Sequence, residues 1–200
     1  FQPVWKTINH LALDNNFDPS PYLNRYKNAV YYDDMQVGRV LQTLRDKNLM
    51  DNTIIILTAD HGEEFNDTHL NYWGHNSNFT RYQTQVPMVI YWPGKQKAEI
   101  AYATSSLDLA PTLLQHALGC KNPETDYTNG KDLFNSEPRK FFLSSGWDRF
   151  ALITDKQIDV IFDAGNVENY DSNYASIAQG IDDLTIISSA MNGMSRYYKK

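Results

Sequence analysis

Cysteine is almost absent: Cys120 is the only one in 200 residues. A lone thiol excludes an internal disulfide framework and any zinc site built from several cysteines. It leaves the redox compartment open. Long apolar runs are missing too. The longest, Thr53 to Ala59, has the length of a strand, far short of the ~20 residues that a membrane helix needs. Positive charge is in deficit, with 18 Lys and Arg against 24 Asp and Glu and a net charge of −6. That balance argues against a nucleic-acid groove or a polybasic membrane patch. Phe1-Gln2-Pro3-Val4-Trp5 carries neither a start methionine nor a signal-peptide pattern. This end reads as a cleavage product or the start of a piece, with any membrane or export segment elsewhere in a parent protein.

What is present is an ordinary globular mix, 42% hydrophobic and 21% charged, which excludes disorder over the whole chain. The length suits one domain, or one domain with a small appendage. No internal repeat or low-complexity tract is visible.

Phe1 to Pro21 is loop-like. Tyr26, Val30, Val37, Val40, Leu41 and Leu44 then recur at spacings of three and four, which predicts a helix over Tyr22 to Lys47 with one apolar face. Asn48 is a fitting stop. Thr53 to Thr58 is β-branched and apolar on both faces, the pattern of a covered strand in the parallel centre of an α/β sheet. Val86 to Trp92 reads as a second such strand. Between them, Ala59 to Gln85 is polar and carries three histidines, and loops of this length are usually functional. A second helix is predicted over Leu109 to Leu118, with Asp108 as N-cap, Pro111 in its first turn and Gly119 past its end. Beyond it come short strand-like runs, Lys140 to Ser144, Phe150 to Thr154 and Ile158 to Phe162. Asp155 to Gln157 reads as a hairpin loop, and Asp182 to Ser195 as a closing helix. The expected organisation is an α/β core over 1–118 and a C-terminal subdomain of short strands over 119–200. Arg196 to Lys200 reads as a solvated basic tail.

The chemistry concentrates in Asp60-His61-Gly62-Glu63-Glu64, directly after the first buried strand. Open α/β sheets place their sites beyond the carboxyl ends of strands. A carboxylate and an imidazole there can both reach one divalent cation. Neighbours on a true strand point to opposite faces, so the pair needs a bend, for which Gly62 provides backbone freedom. His69 and His75 follow in the same loop, and a third imidazole can bind the metal or donate to a bound anion. Glu63 and Glu64 either extend the metal shell or, the commoner case, form a solvated pair. Asn66-Asp67-Thr68 and Asn78-Phe79-Thr80 match the glycosylation sequon, a short pattern with little weight here. His10 reads as a packing or surface residue.

Asp60-His61-Gly62-Glu63, then Gly74-His75, then Val86-Pro87 and Pro93-Gly94 resemble the sulfatase branch of the alkaline-phosphatase superfamily. Three further blocks agree: Tyr26 to Gly38 with Asp51-Asn52-Thr53, Leu107-Asp108-Leu109-Ala110-Pro111-Thr112, and Gly130 with Leu133. Together they span Asn24 to Phe134 in order. Asn24 to Val30 and Asn71 to Thr80 look most like the YejM-like family of bacterial inner-membrane proteins, which carry an N-terminal membrane bundle and a periplasmic sulfatase-like domain.

The resemblance implies a partial alkaline-phosphatase-like α/β sandwich with a small C-terminal antiparallel-strand subdomain. It implies that Asp60 and His61 bind a divalent metal ion (Zn, Mn, Mg or Ca) and that His75 touches sulfate or phosphate oxygens as a catalytic residue. His69 sits near a second loop histidine of the family at an altered spacing, and Asp34 matches a structural helix aspartate. The family's nucleophile, a Ser, Thr or modified Cys early in the domain, has no match in Phe1 to Pro21. The chain is thus expected to be a C-terminal piece that needs the missing N-terminal half of the domain, with no turnover of its own. For the parent, the implied activity is metal-dependent hydrolysis or transfer of phosphate or sulfate esters, on an ester or lipid-linked substrate, at the inner membrane with this domain periplasmic. The alternative is a catalytically silent module that binds lipid, lipopolysaccharide or protein and regulates envelope lipids. No nucleic-acid partner is expected. An exposed sheet flank would favour a homodimer of the piece.

Overall fold

The computed structural model describes residues 1–75, 78–178, 180–181 and 184–197. They form a mixed α/β architecture in two compact units, Phe1–Lys97 and Ala98–Lys200.

The first unit begins with a loop and the long helix α1, Ser20–Asp46. Asp18 accepts the Ser20 amide at 2.9 Å and Pro21 occupies the first turn, so donors left orphaned at the helix start are partly met. The end follows the expected stop. Asn48 is left-handed (φ 53°), its amide donates to Arg45 O at 3.0 Å, and the Leu49 amide reaches back to Leu44 O at 2.9 Å. This paired closure satisfies the last carbonyls. The helical stripe is only partly covered. Tyr26, Val30 and Val40 are exposed, and Tyr22, one turn earlier, is the buried residue of α1.

Two strands sit where the apolar runs were, β1 at Ile55–Thr58 and β4 at Met88–Tyr91. They do not lie in a parallel centre. They pair antiparallel, Ile55 opposite Tyr91 and Thr58 opposite Met88, as a two-stranded sheet. A both-faces-apolar run reports demand for cover, whereas strand direction is set by the connection. Parallel neighbours need a crossover unit, and among its described residues this connection holds only the two-residue strands β2 (Glu64–Phe65) and β3 (Trp73–Gly74) and one turn of helix, α2 (Arg81–Thr84). Leu57, Val89 and Tyr91 remain exposed.

In the second unit, helix α3 spans Leu109–His116. Asp108 stands at its N-cap position as expected, but its side chain is spent elsewhere and makes no cap hydrogen bond. Its Oδ2 accepts the Ser105 amide at 2.8 Å in a capping box over the preceding 3-10 turn, while Oδ1 accepts the Lys131 amide at 2.8 Å and the Arg139 guanidinium. Gly130 is required for space, because a Cβ there would lie 2.1 Å from Leu107 O. The predicted strands form β5 (Phe142–Ser145), β6 (Arg149–Ile153) and β7 (Ile158–Phe162), joined by a fourth, β8 (Val167–Tyr170), which the polar tail concealed. They make an open antiparallel meander around Ala151, Leu152, Ile158 and Val160. Helix α4, Leu184–Ser195, realises the closing helix; Asp182 and Asp183 lie outside the described residues, as do 198–200 of the basic tail. Arg196 is bonded rather than loose, donating to Thr128 O. Among the described residues no helix is long and apolar enough to cross a membrane.

Candidate metal centre

The chain leaves β1 at Thr58 and turns at once. Asp60 Oδ1 accepts the His61 amide at 3.0 Å, an aspartate turning on its own backbone. That bond, first among the causes, holds the Asp60 carboxyl below the usual aspartate range. Gly62 contributes room rather than an unusual dihedral. Its amide donates to Gln83 O at 2.8 Å, and a Cβ would fall 1.9 Å from Tyr82 O, so no other residue lets the bend dock on α2.

The hairpin β2–β3 then pairs Glu64 with Gly74 and Phe65 with Trp73. One step along, Glu63 stands beside His75, with His75 Nδ1 3.0 Å from Glu63 Oε2. Period-two alternation sends the two glutamates to opposite sides. Glu64 is fully buried. It accepts Asn78 Nδ2 at 2.8 Å, Gln83 Nε2 at 2.9 Å and Thr80 Oγ1 at 3.0 Å on one oxygen, and Thr68 Oγ1 at 3.2 Å on the other. The solvated-pair expectation therefore fails for Glu64, whose charge is held by donors rather than water. The two sequon asparagines are structural. Asn78 serves Glu64, and buried Asn66, at φ 60°, accepts the Asn71 amide at 2.8 Å.

On the open side, His61, Glu63 and His75 bring one donor atom each within 4.8 Å of one another. The two imidazoles lie 4.2 Å apart between ring centroids. His61 Nδ1 lies 2.9 Å from Gly62 O, so with the proton on Nδ1 its Nε2 faces out, and Asp60 Oδ2 lies 3.6 Å from that nitrogen. A ring nitrogen tied to a carbonyl or carboxylate while the other faces the site is the usual setting of a metal-binding histidine. Two imidazoles with carboxylates suit a divalent transition ion, so this His/Glu/His cluster can coordinate a divalent metal. Asp60, expected as a ligand beside His61, stands outside this triad at its exposed edge, its side chain 88% exposed against 18% for Glu63.

His69 is exposed and left-handed (φ 56°) and does not join the cluster. His10 is a surface residue edge-on to the Tyr22 ring at 5.7 Å. Asp34 is exposed on α1. The residue with no warning in the sequence is Tyr22. Its hydroxyl donates to Glu63 Oε1 at 2.7 Å, and burial, then Glu63, pushes its pKa up. Its ring packs on Phe65 at 4.9 Å, Trp5 at 6.2 Å and Trp73 at 6.4 Å. Of the two glutamates that could extend the metal shell, Glu63 is the one that joins the cluster, because the hairpin register sets it opposite His75.

The chain is similar to known proteins over most of its length. The inner membrane protein YejM of Salmonella typhimurium is 26% identical over 194 residues, covering 96% of this chain and 32% of that protein. The ulvan-active sulfatase of Formosa agariphila is 31% identical over 164 residues, covering 75% of this chain and 26% of that one. The chain thus spans about a third or less of the length of these curated relatives. Among solved structures, an alkaline-phosphatase-superfamily protein from Vibrio parahaemolyticus superposes with a TM-score of 0.61 at 20% identity, over 86% of this chain and 43% of that one. At that identity it shows the alkaline-phosphatase-like fold alone. The sulfatase family model matches residues 3–120, and the chain belongs to the sulfatase family.

Proposed function

We propose that this chain supplies one side of a metal-dependent centre that hydrolyses or transfers phosphate or sulfate esters. Asp60 and His61 hold a divalent cation and His75 touches the ester's non-bridging oxygens. The observation that carries this reading is the convergence of His61, Glu63 and His75 just past the end of β1. A bound divalent cation would supply Lewis-acid polarisation of the ester and lower a nucleophile's pKa. The chain's own residues do the placing. The Gly62 bend aims His61, the hairpin register sets His75 beside it, and Asp60 offers an open carboxylate.

Calorimetric titration with Mn²⁺ tests this. Wild-type chain binds, Asp60→Ala and His61→Ala weaken binding tenfold or more, and an aryl phosphate or sulfate is not turned over by the chain alone. Equal binding by wild type and Asp60→Ala defeats the assignment.

A second reading, a silent envelope-lipid module of the inner membrane that binds lipid or protein, is favoured by likeness over 96% of the chain to a relative named as an inner membrane protein. Retained hydrolysis by the whole parent protein would sink it. In either case the β1–β4 sheet, two-stranded and unpaired at its outer edges among the described residues, is one that we expect to pair with the rest of the domain or with a second copy. A strict monomer by light scattering at high concentration contradicts the second-copy pairing.

A further inference from the structure

Three carboxylates stand at or beside the imidazole pair, and they differ in freedom. Asp60 is open to solvent, Glu64 faces away into its buried cluster, and Glu63 is sheltered with both oxygens engaged. Glu63 Oε1 accepts the Tyr22 hydroxyl at 2.7 Å and Oε2 lies 3.0 Å from His75 Nδ1, both within ordinary hydrogen-bond range. Tyr22, on α1, is in turn fixed by four rings: Phe65 from β2, Trp73 from β3, and Trp5 and His10 from the N-terminal segment. A chain of contacts therefore runs from an aromatic cluster, through a phenol and a carboxylate, to one nitrogen of His75.

We propose that Glu63, clamped by Tyr22, is a positioning residue that keeps the proton on His75 Nδ1 and leaves Nε2 as the nitrogen serving the centre, and that it is not itself a ligand. This rests on the metal-centre reading above. A carboxylate on one ring nitrogen selects the tautomer and the ring orientation, and loss of such a partner typically costs 10–100-fold in affinity. The clamp explains why a buried tyrosine spends its hydroxyl on an acid 41 residues away. It also separates the roles of neighbouring acids, Asp60 for contact with the cation and Glu63 for aim.

Tyr22→Phe decides the matter, because it removes one hydroxyl and leaves Glu63 intact. The ring spectrum of His75 is read by two-bond ¹H–¹⁵N correlation in mildly alkaline buffer without metal. Mn²⁺ affinity is then read in the presence of inorganic phosphate, so that a contact to cation or anion registers. In wild type the proton sits on Nδ1. In Tyr22→Phe a share moves to Nε2 and affinity falls about tenfold. Unchanged or tighter binding with an unchanged ring spectrum overturns the proposal, since a freed ligand binds at least as well. Glu63→Ala covers the case in which Tyr22→Phe fails to fold: it removes the acceptor beside Nδ1, a share of the proton moves to Nε2, and full retention on Nδ1 overturns the proposal. A wild type that binds no Mn²⁺ defeats the metal reading, and the ring spectra still judge the clamp.

Discussion

The β2–β3 hairpin pairs two residues with two, Glu64 with Gly74 and Phe65 with Trp73, whereas the C-terminal sheet joins four strands through three ladders. The sheet is ordered by repeated backbone bonds and by Ala151, Leu152, Ile158 and Val160 beneath them. The hairpin has almost no ladder. Its order comes from Glu64, which gathers donors from Thr68, Asn78, Thr80 and Gln83. A ladder tolerates many side chains because the backbone makes the bonds. A carboxylate hub tolerates few, but it fixes a loop in one arrangement and sets the neighbouring Glu63 and His75 on the opposite face. The region that must hold a site with little regular structure is the one that uses the polar hub.

Replacing Glu64 is the largest expected perturbation. Glu64→Ala strands four donors, three of them on fully or nearly buried groups, and should destabilise by on the order of 4 kcal/mol or more, measured by urea unfolding, with loss of Mn²⁺ binding. Glu64→Gln keeps the shape and one acceptor and should cost about 1–2 kcal/mol. If Glu64→Ala is as stable as wild type, the hub does not hold the loop. Next comes Leu152→Ala in the sheet, expected to cost about 2–5 kcal/mol by cavity formation. Its signature should be faster amide exchange across the β6 and β7 ladders. A loss confined to residue 152 and its neighbours would show that the ladder alone carries the sheet.

The smallest effect is acidic and local. The Ser20 side chain and amide hold the Asp18 carboxyl below its ordinary value, so its contribution to α1 is fully present above the unfolded value near ~3.9 and is lost as pH falls through the lowered folded value. Asp18→Ala should therefore reduce helical circular dichroism slightly at neutral pH. The difference from wild type should vanish in strong acid. A difference that persists there assigns the loss to something other than the charge.

Much of the local structure was legible from residues alone. Spacing located α1, and Asn48 marked its end because an asparagine tolerates the left-handed turn that closes a helix. Three of the four C-terminal strands followed from their β-branched and aromatic runs, while β8, written in Val, Glu, Asn and Tyr, carried no such signal. Asp60, His61 and His75 were visible as chemistry because metal-competent side chains after an apolar strand are conspicuous. Glu64 was not, since a glutamate in a polar loop looks solvated until its donors, 4 to 19 residues away, are folded around it.

By itself, the amino-acid order located α1, α3 and α4, the strands β1, β4, β5, β6 and β7, and the loop that carries the chemistry. Those depend on dihedral preference and apolar spacing between near neighbours. Only the tertiary structure decided that β1 and β4 run antiparallel, that Glu63 turns toward His75 while Glu64 turns inward, and that Tyr22 reaches 41 residues along the chain to hold that acid. Direction, facing and long-range hydrogen bonds are relations between distant segments, and no local propensity encodes them.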